Sequence, residues 1–74
     1  MSSLFNRNVT VAARRTSVRL EAAMWDALFD VAQGERQTVK KICTKVDRTR
    51  KELTLTSGLR VYILLYFRRA AKRR

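Results

Sequence analysis

Polar and apolar residues alternate with a period of two over Arg14 to Glu21, RRTSVRLE, the mark of a half-buried strand. Arg15, Ser17 and Arg19 fall on one side and Thr16, Val18 and Leu20 on the other, because successive strand side chains face opposite ways. Beyond Glu21 the pattern changes to a helical one. Trp25, Leu28, Phe29 and Ala32 form an apolar stripe that predicts a helix over 21–33, with Met24 and Val31 widening it. Glu21 sits where the helix dipole favours a negative charge, and Gly34 is placed to close the helix as a left-handed cap. Thr38 suits the N-cap of a second helix reaching about Arg50, with Val39, Ile42, Cys43 and Val46 on one side and Lys41, Lys45 and Arg48 on the other. Lys51 to Thr56 reads as a connector. Ser57 is the expected cap of a third helix from Gly58 to about Ala71. Leu59, Tyr62, Ile63, Tyr66 and Phe67 stripe that helix, yet Val61, Leu64 and Leu65 cover its other side. A helix apolar all round must be buried from several directions, and in so short a chain part of that burial is expected from another subunit.

Upstream, Ser2, Ser3, Asn6 and Asn8 make residues 1–13 read as a mobile arm. The predicted organisation is therefore an arm over 1–13, a domain over 14–71 and a basic tail over 72–74. The single predicted strand cannot satisfy its own backbone groups. Pairing with the same strand of a second copy, antiparallel across a two-fold axis, is the favoured solution. A rival reading uses Val9-Thr10-Val11 as a second strand and folds residues 9–20 into a hairpin within one chain. Its turn would fall on Ala12 to Arg15, where none of the Gly, Asn or Asp of tight hairpin turns is found.

Charge narrows the function. Seventeen Lys and Arg against six Asp and Glu give a net +11 over 74 residues, which favours a polyanionic partner, nucleic acid before an anionic membrane surface. There is no His, and the lone Cys43 excludes an intrachain disulfide and a Cys-based zinc cage within one chain. No metal or other cofactor is expected. Catalysis is not expected either, without His, a paired-carboxylate pocket or a phosphate-cradling glycine loop. Without a disulfide framework or a signal peptide the chain reads as cytoplasmic. The apolar run Val61 to Phe67 is far shorter than the roughly 20 residues of a membrane span.

The order of parts, a short strand with alternating polar residues and then two helices joined by a Gly-containing turn, resembles the ribbon-helix-helix superfamily of the Arc and MetJ repressors. VTVAARRTSVRLE, MWDAL and LTSGLRVYILLYFRR are similar to a bacterial subfamily whose members read like RTSVSLEPEFWDAL and end in a third helix of the LSSALRVFVL type. The likeness spans about residues 8–69. Arg19 stands where the family often has a small polar residue, and Ala22-Ala23 replace its usual Pro-Glu. The resemblance implies a mainly α fold with one short strand per chain. Two chains would form an intertwined homodimer with a two-stranded antiparallel ribbon and an extra C-terminal helix, and a tetramer on DNA stays open. The expected dimer core is Val18, Leu20, Trp25, Leu28, Ile42, Val46 and Ile63.

The resemblance also implies that Arg15, Ser17 and Arg19 touch base edges in the major groove. Their chemistry agrees, since Arg bonds bidentate to guanine and Ser donates or accepts at several bases. The family anchors phosphate at the start of its second helix, here Thr38 and Val39. Arg14, Lys41 and Arg73 complete the expected phosphate contacts. The function expected is a sequence-specific, nucleoid-associated transcription regulator, a repressor, bound to an inverted repeat in double-stranded DNA. Two alternatives remain: an antitoxin with a toxin partner, and a non-specific or architectural nucleic-acid binder. Plainer roles compete at single residues. Trp25, Tyr62 and Tyr66 read as core, Cys43 as a small buried apolar residue, Thr38 as a cap first, and Lys41, Lys45 and Arg48 as a solvated face.

Overall fold

A computed structural model of the chain describes residues 4–73. Met1 to Ser3 of the expected arm and Arg74 of the expected tail lie outside the described residues. The chain runs β1 (Leu4–Val11), β2 (Arg14–Glu21), α1 (Ala22–Gly34), α2 (Val39–Thr49) and α3 (Leu55–Lys72). The two strands form one antiparallel ribbon, in register from Leu4 opposite Glu21 to Val11 opposite Arg14.

The ribbon thus forms within one chain, which corrects two expectations: the partner of Arg14–Glu21 is β1, and residues 4–11 are a strand instead of an arm. The turn is shorter than the rival reading allowed, only Ala12 and Ala13, and both are left-handed at φ 52° and 63°. Two successive left-handed residues are what a two-residue hairpin turn of the right twist requires. Alanine reaches that region at a cost of roughly 1–2 kcal/mol per residue. Burial offsets it. Val11 is 1% exposed and packs with Val18 and Leu20 in the core, and a buried Val or Leu side chain contributes about 1.5–3 kcal/mol.

One face of the ribbon rests on the helices, with Trp25, Leu28, Val31, Ile42, Cys43, Val46, Leu59 and Ile63 completing the core. The seven residues expected at a dimer core are all sealed inside a single chain, because the hairpin covers the helices that a second copy was expected to cover. The Trp25 indole donates to the Phe5 carbonyl at 2.9 Å and so ties α1 to β1.

The helix ends differ from expectation in two places. Gly34 is an ordinary last helical residue, and Arg36 takes the left-handed position at φ 55°. Arg36 N–H donates to the Gln33 carbonyl and Gln37 N–H to the Ala32 carbonyl, the paired bonds of a Schellman cap. Gly34 leaves room for the Tyr66 hydroxyl, which a Cβ at this position would force to shift. α3 begins at Leu55, three residues early, because the Thr54 hydroxyl accepts from Ser57 N–H at 3.1 Å and takes the capping role expected of Ser57. Gly58 then lets α3 approach α2, where a Cβ would lie 2.8 Å from Val46 Cγ1.

Candidate nucleic-acid interface

Alternation along β2 buries Val18 and Leu20 and leaves Arg15, Ser17 and Arg19 exposed on the outer face. The pairing adds residues that sequence reasoning placed in the arm. Thr10 lies opposite Arg15, Asn8 opposite Ser17 and Asn6 opposite Arg19, and directly opposed residues share a face. Asn6 and Asn8 are exposed, Thr10 half-buried. Arg19 Nε donates to Asn6 Oδ1 at 3.0 Å across the ribbon. A usable signal was present in the sequence: Val9 and Val11 alternate with Asn8 and Thr10.

Among the described residues, the only carboxylate of the outer face, Glu21, lies at the end away from the turn. It meets Arg60 Nη2 at 2.7 Å. Its own backbone N–H, and then the Arg60 guanidinium, hold its carboxyl below the ordinary range. The ribbon's central outer surface is therefore cationic and polar, with no acid among Asn6, Asn8, Thr10, Arg15, Ser17 and Arg19.

The expected phosphate contacts are scattered around this face. Arg14 has the inner-face parity at the hairpin end. It is exposed, with Nη2 3.7 Å from Asp47 Oδ1, while Arg50 Nε holds the same oxygen at 2.9 Å. The Thr38 hydroxyl caps α2 by accepting from Lys41 N–H at 3.1 Å. That leaves the Val39 and Lys40 amides as the unpaired first-turn donors. A shallow groove floored by Val9, Trp25 and Phe29 and edged by Arg7, Asn8, Thr10, Val39 and Lys40 joins this helix start to β1. Lys41 is exposed nearby on α2. Arg73 lies at the far end of α3, about 20 Å along the helix from the Arg60 contact with β2.

Other candidates are structural. Lys45 is exposed on α2 and donates to the Tyr62 hydroxyl at 3.3 Å, while that hydroxyl donates to Glu35 Oε1 at 2.5 Å. These bonds link α3 to α2 and to the end of α1. Burial and the Glu35 carboxylate push the Tyr62 phenol up. Cys43 is fully buried, and burial pushes its thiol up to about 11, so it carries almost no thiolate near neutral pH. Among the described residues, no cluster of His, Cys, Asp or Glu could hold a metal ion, and no helix is long and apolar enough to cross a membrane.

An exposed, cationic two-stranded ribbon carried on helices is the kind of surface that β-ribbon DNA-binding proteins present. A family model described as a ribbon-helix-helix domain matches residues 4–67. The chain belongs to that family, one of DNA-binding regulators that are typically not enzymes. No curated protein and no solved structure matches the chain.

Proposed function

We propose that the protein is a sequence-specific regulator of transcription, a repressor that occludes a promoter by inserting its ribbon into the major groove. The observation that carries this reading is the cationic centre of the outer face, where Arg15, Ser17 and Arg19 stand exposed above a sealed core and the one flanking carboxylate, Glu21, is paired with Arg60. Arg15 and Arg19 would take guanine O6 and N7, and Ser17 either partner of a base edge. Arg14, the Thr38–Val39 helix start, Lys41 and Arg73 would hold phosphates. Most of the affinity would come from that charge and fall steeply with salt.

The reading extends to a homodimer on an inverted repeat, acting on the bacterial nucleoid in the cytoplasm, with a tetramer on DNA as the further step. Dimerisation is supported by the large apolar side chains left exposed along α3, Val61, Leu64, Leu65 and Phe67. Monomers seldom expose so extended an apolar patch. The same helix face supports the second reading, an antitoxin whose third helix binds a toxin. Co-purification of a small neighbouring protein at fixed stoichiometry would favour that reading, and a dimer of this chain alone the first.

The direct test is Arg19→Ala against a preferred site and random duplex. It is expected to cost about 1–3 kcal/mol on the preferred site and to relax base preference at one position. Equal losses on both DNAs would make Arg19 a phosphate contact and remove it from base reading.

A further inference from the structure

The hairpin changes which residues a single chain can present to DNA. In the sequence reading each chain supplies one strand, and only Arg15, Ser17 and Arg19 look outward. In the structure one chain supplies both strands, and β1 contributes an outward row of equal length. We infer that β1 is the second half of the reading surface: Asn8 and Thr10 contact base edges beside Ser17 and Arg15, and Asn6 positions Arg19. This rests on the ribbon being the DNA-reading face, and deepens that proposal.

Three observations carry it. The first is residue type and place. Asn6, Asn8 and Thr10 alternate with Arg7, Val9 and Val11, so all three lie on the face of Arg15, Ser17 and Arg19. Asn bonds bidentate to N6 and N7 of adenine, and Thr takes either a polar edge or the thymine methyl. Residues two apart on a strand are about 6.7 Å apart. Each row of three therefore spans about 13 Å, the length of about four base pairs at 3.4 Å per step. Two strands about 4.8 Å apart also suit a groove about 12 Å wide.

The second is the bond from Arg19 Nε to Asn6 Oδ1, 3.0 Å between two exposed side chains. A guanidinium nitrogen only donates, so the amide must turn its oxygen to Arg19. With Nε occupied, the two terminal nitrogens of Arg19 remain for an end-on fork onto guanine. The bond fixes which edge of the guanidinium faces outward, and Asn6 acts through Arg19 as a positioning residue. The third is continuity. The groove between β1 and the start of α2 places Asn8 and Thr10 beside Val39 and Lys40, so a phosphate held at that helix start would flank β1 directly.

The test is selection from random duplex DNA at about 150 mM salt, which suppresses purely electrostatic binding. Wild type, Asn8→Ala and Asn6→Ala are compared, followed by Kd measurements on the wild-type motif and on random duplex. Both residues are exposed, so the variants should fold, with thermal melts as the check. Asn8→Ala is expected to lose preference at one adenine-bearing position, weakening motif binding about 5- to 100-fold and leaving random-duplex binding unchanged. Asn6→Ala is expected to blunt the guanine preference that Arg19→Ala abolishes, and to add nothing in an Arg19→Ala background. A wild-type motif that survives both variants unchanged overturns the role of β1 and leaves the β2 reading intact. Equal weakening on all DNA makes β1 a backbone contact and overturns base reading by it. A wild type that enriches no motif overturns the ribbon reading and this inference together.

Discussion

The least comfortable point in the fold is the Ala12-Ala13 turn, and replacing it with Asn-Gly gives a prediction of definite sign. Both alanines are left-handed, at φ 52° and 63°. The steric cost there is roughly 1–2 kcal/mol for each alanine. Gly at 13 removes that cost but loosens the unfolded chain by about 0.5–1 kcal/mol. Asn at 12 relieves part of it, since Asn visits the left-handed region several-fold more often than most residues. The net gain for the pair is about 1 kcal/mol. In a domain this size that raises Tm by about 4–8 °C. Circular dichroism melts and guanidinium titrations at fixed protomer concentration read the effect. Val-Val at the same positions, β-branched and poorly suited to positive φ, should lower Tm. An Asn-Gly variant no more stable than the parent would refute the intrachain turn and return β2 to pairing with a second copy.

Gly34→Ala offers a case where local and tertiary preferences oppose each other. Alanine is the better helix former by about 1 kcal/mol, yet its Cβ would collide with the Tyr66 hydroxyl. Net destabilisation of about 1–2 kcal/mol by denaturant titration is expected from such overpacking, partly relieved by Tyr66→Phe. A stabilised Gly34→Ala would show that Tyr66 moves aside freely. Removing Lys72, Arg73 and Arg74 should weaken binding to all duplexes alike and reduce the salt slope by about 2–3, close to 0.9 per lost phosphate contact. A loss confined to the preferred site would mean that the tail packs on protein.

Much of the fold was legible because it rests on periodicity. RRTSVRLE, the Trp25–Leu28–Ala32 stripe and the Thr38 cap depend on short-range rules, and each element appears where its pattern ends within a residue or so. β1 was harder to see. Asn6 and Asn8 are poor strand formers, and the pairing with β2, together with burial of Val11, outweighs that preference. The turn was hidden for the same reason, since no local rule selects Ala-Ala for left-handed backbone. Burial of Val11 before it and the ladder that pairs β1 with β2 over-determine it. At the cap of α1 the sequence pointed to glycine, whereas the helix closes on Arg36 and keeps Gly34 for the Tyr66 ring. That requirement belongs to α3, 32 positions away, beyond the reach of any local pattern. The outward strand residues Arg15, Ser17 and Arg19 were readable from alternation alone. Their neighbours Asn6, Asn8 and Thr10 became visible only with the register.

The most direct test of base reading by the ribbon is the motif enriched from random duplex DNA at about 150 mM salt, with Arg15/Ser17/Arg19→Ala run beside the wild type. The reading predicts a short motif enriched by the wild type and lost in the triple variant, while residual salt-sensitive binding to any duplex persists. No motif for either protein, with equal binding by both, would contradict it and leave a non-specific polyanion binder.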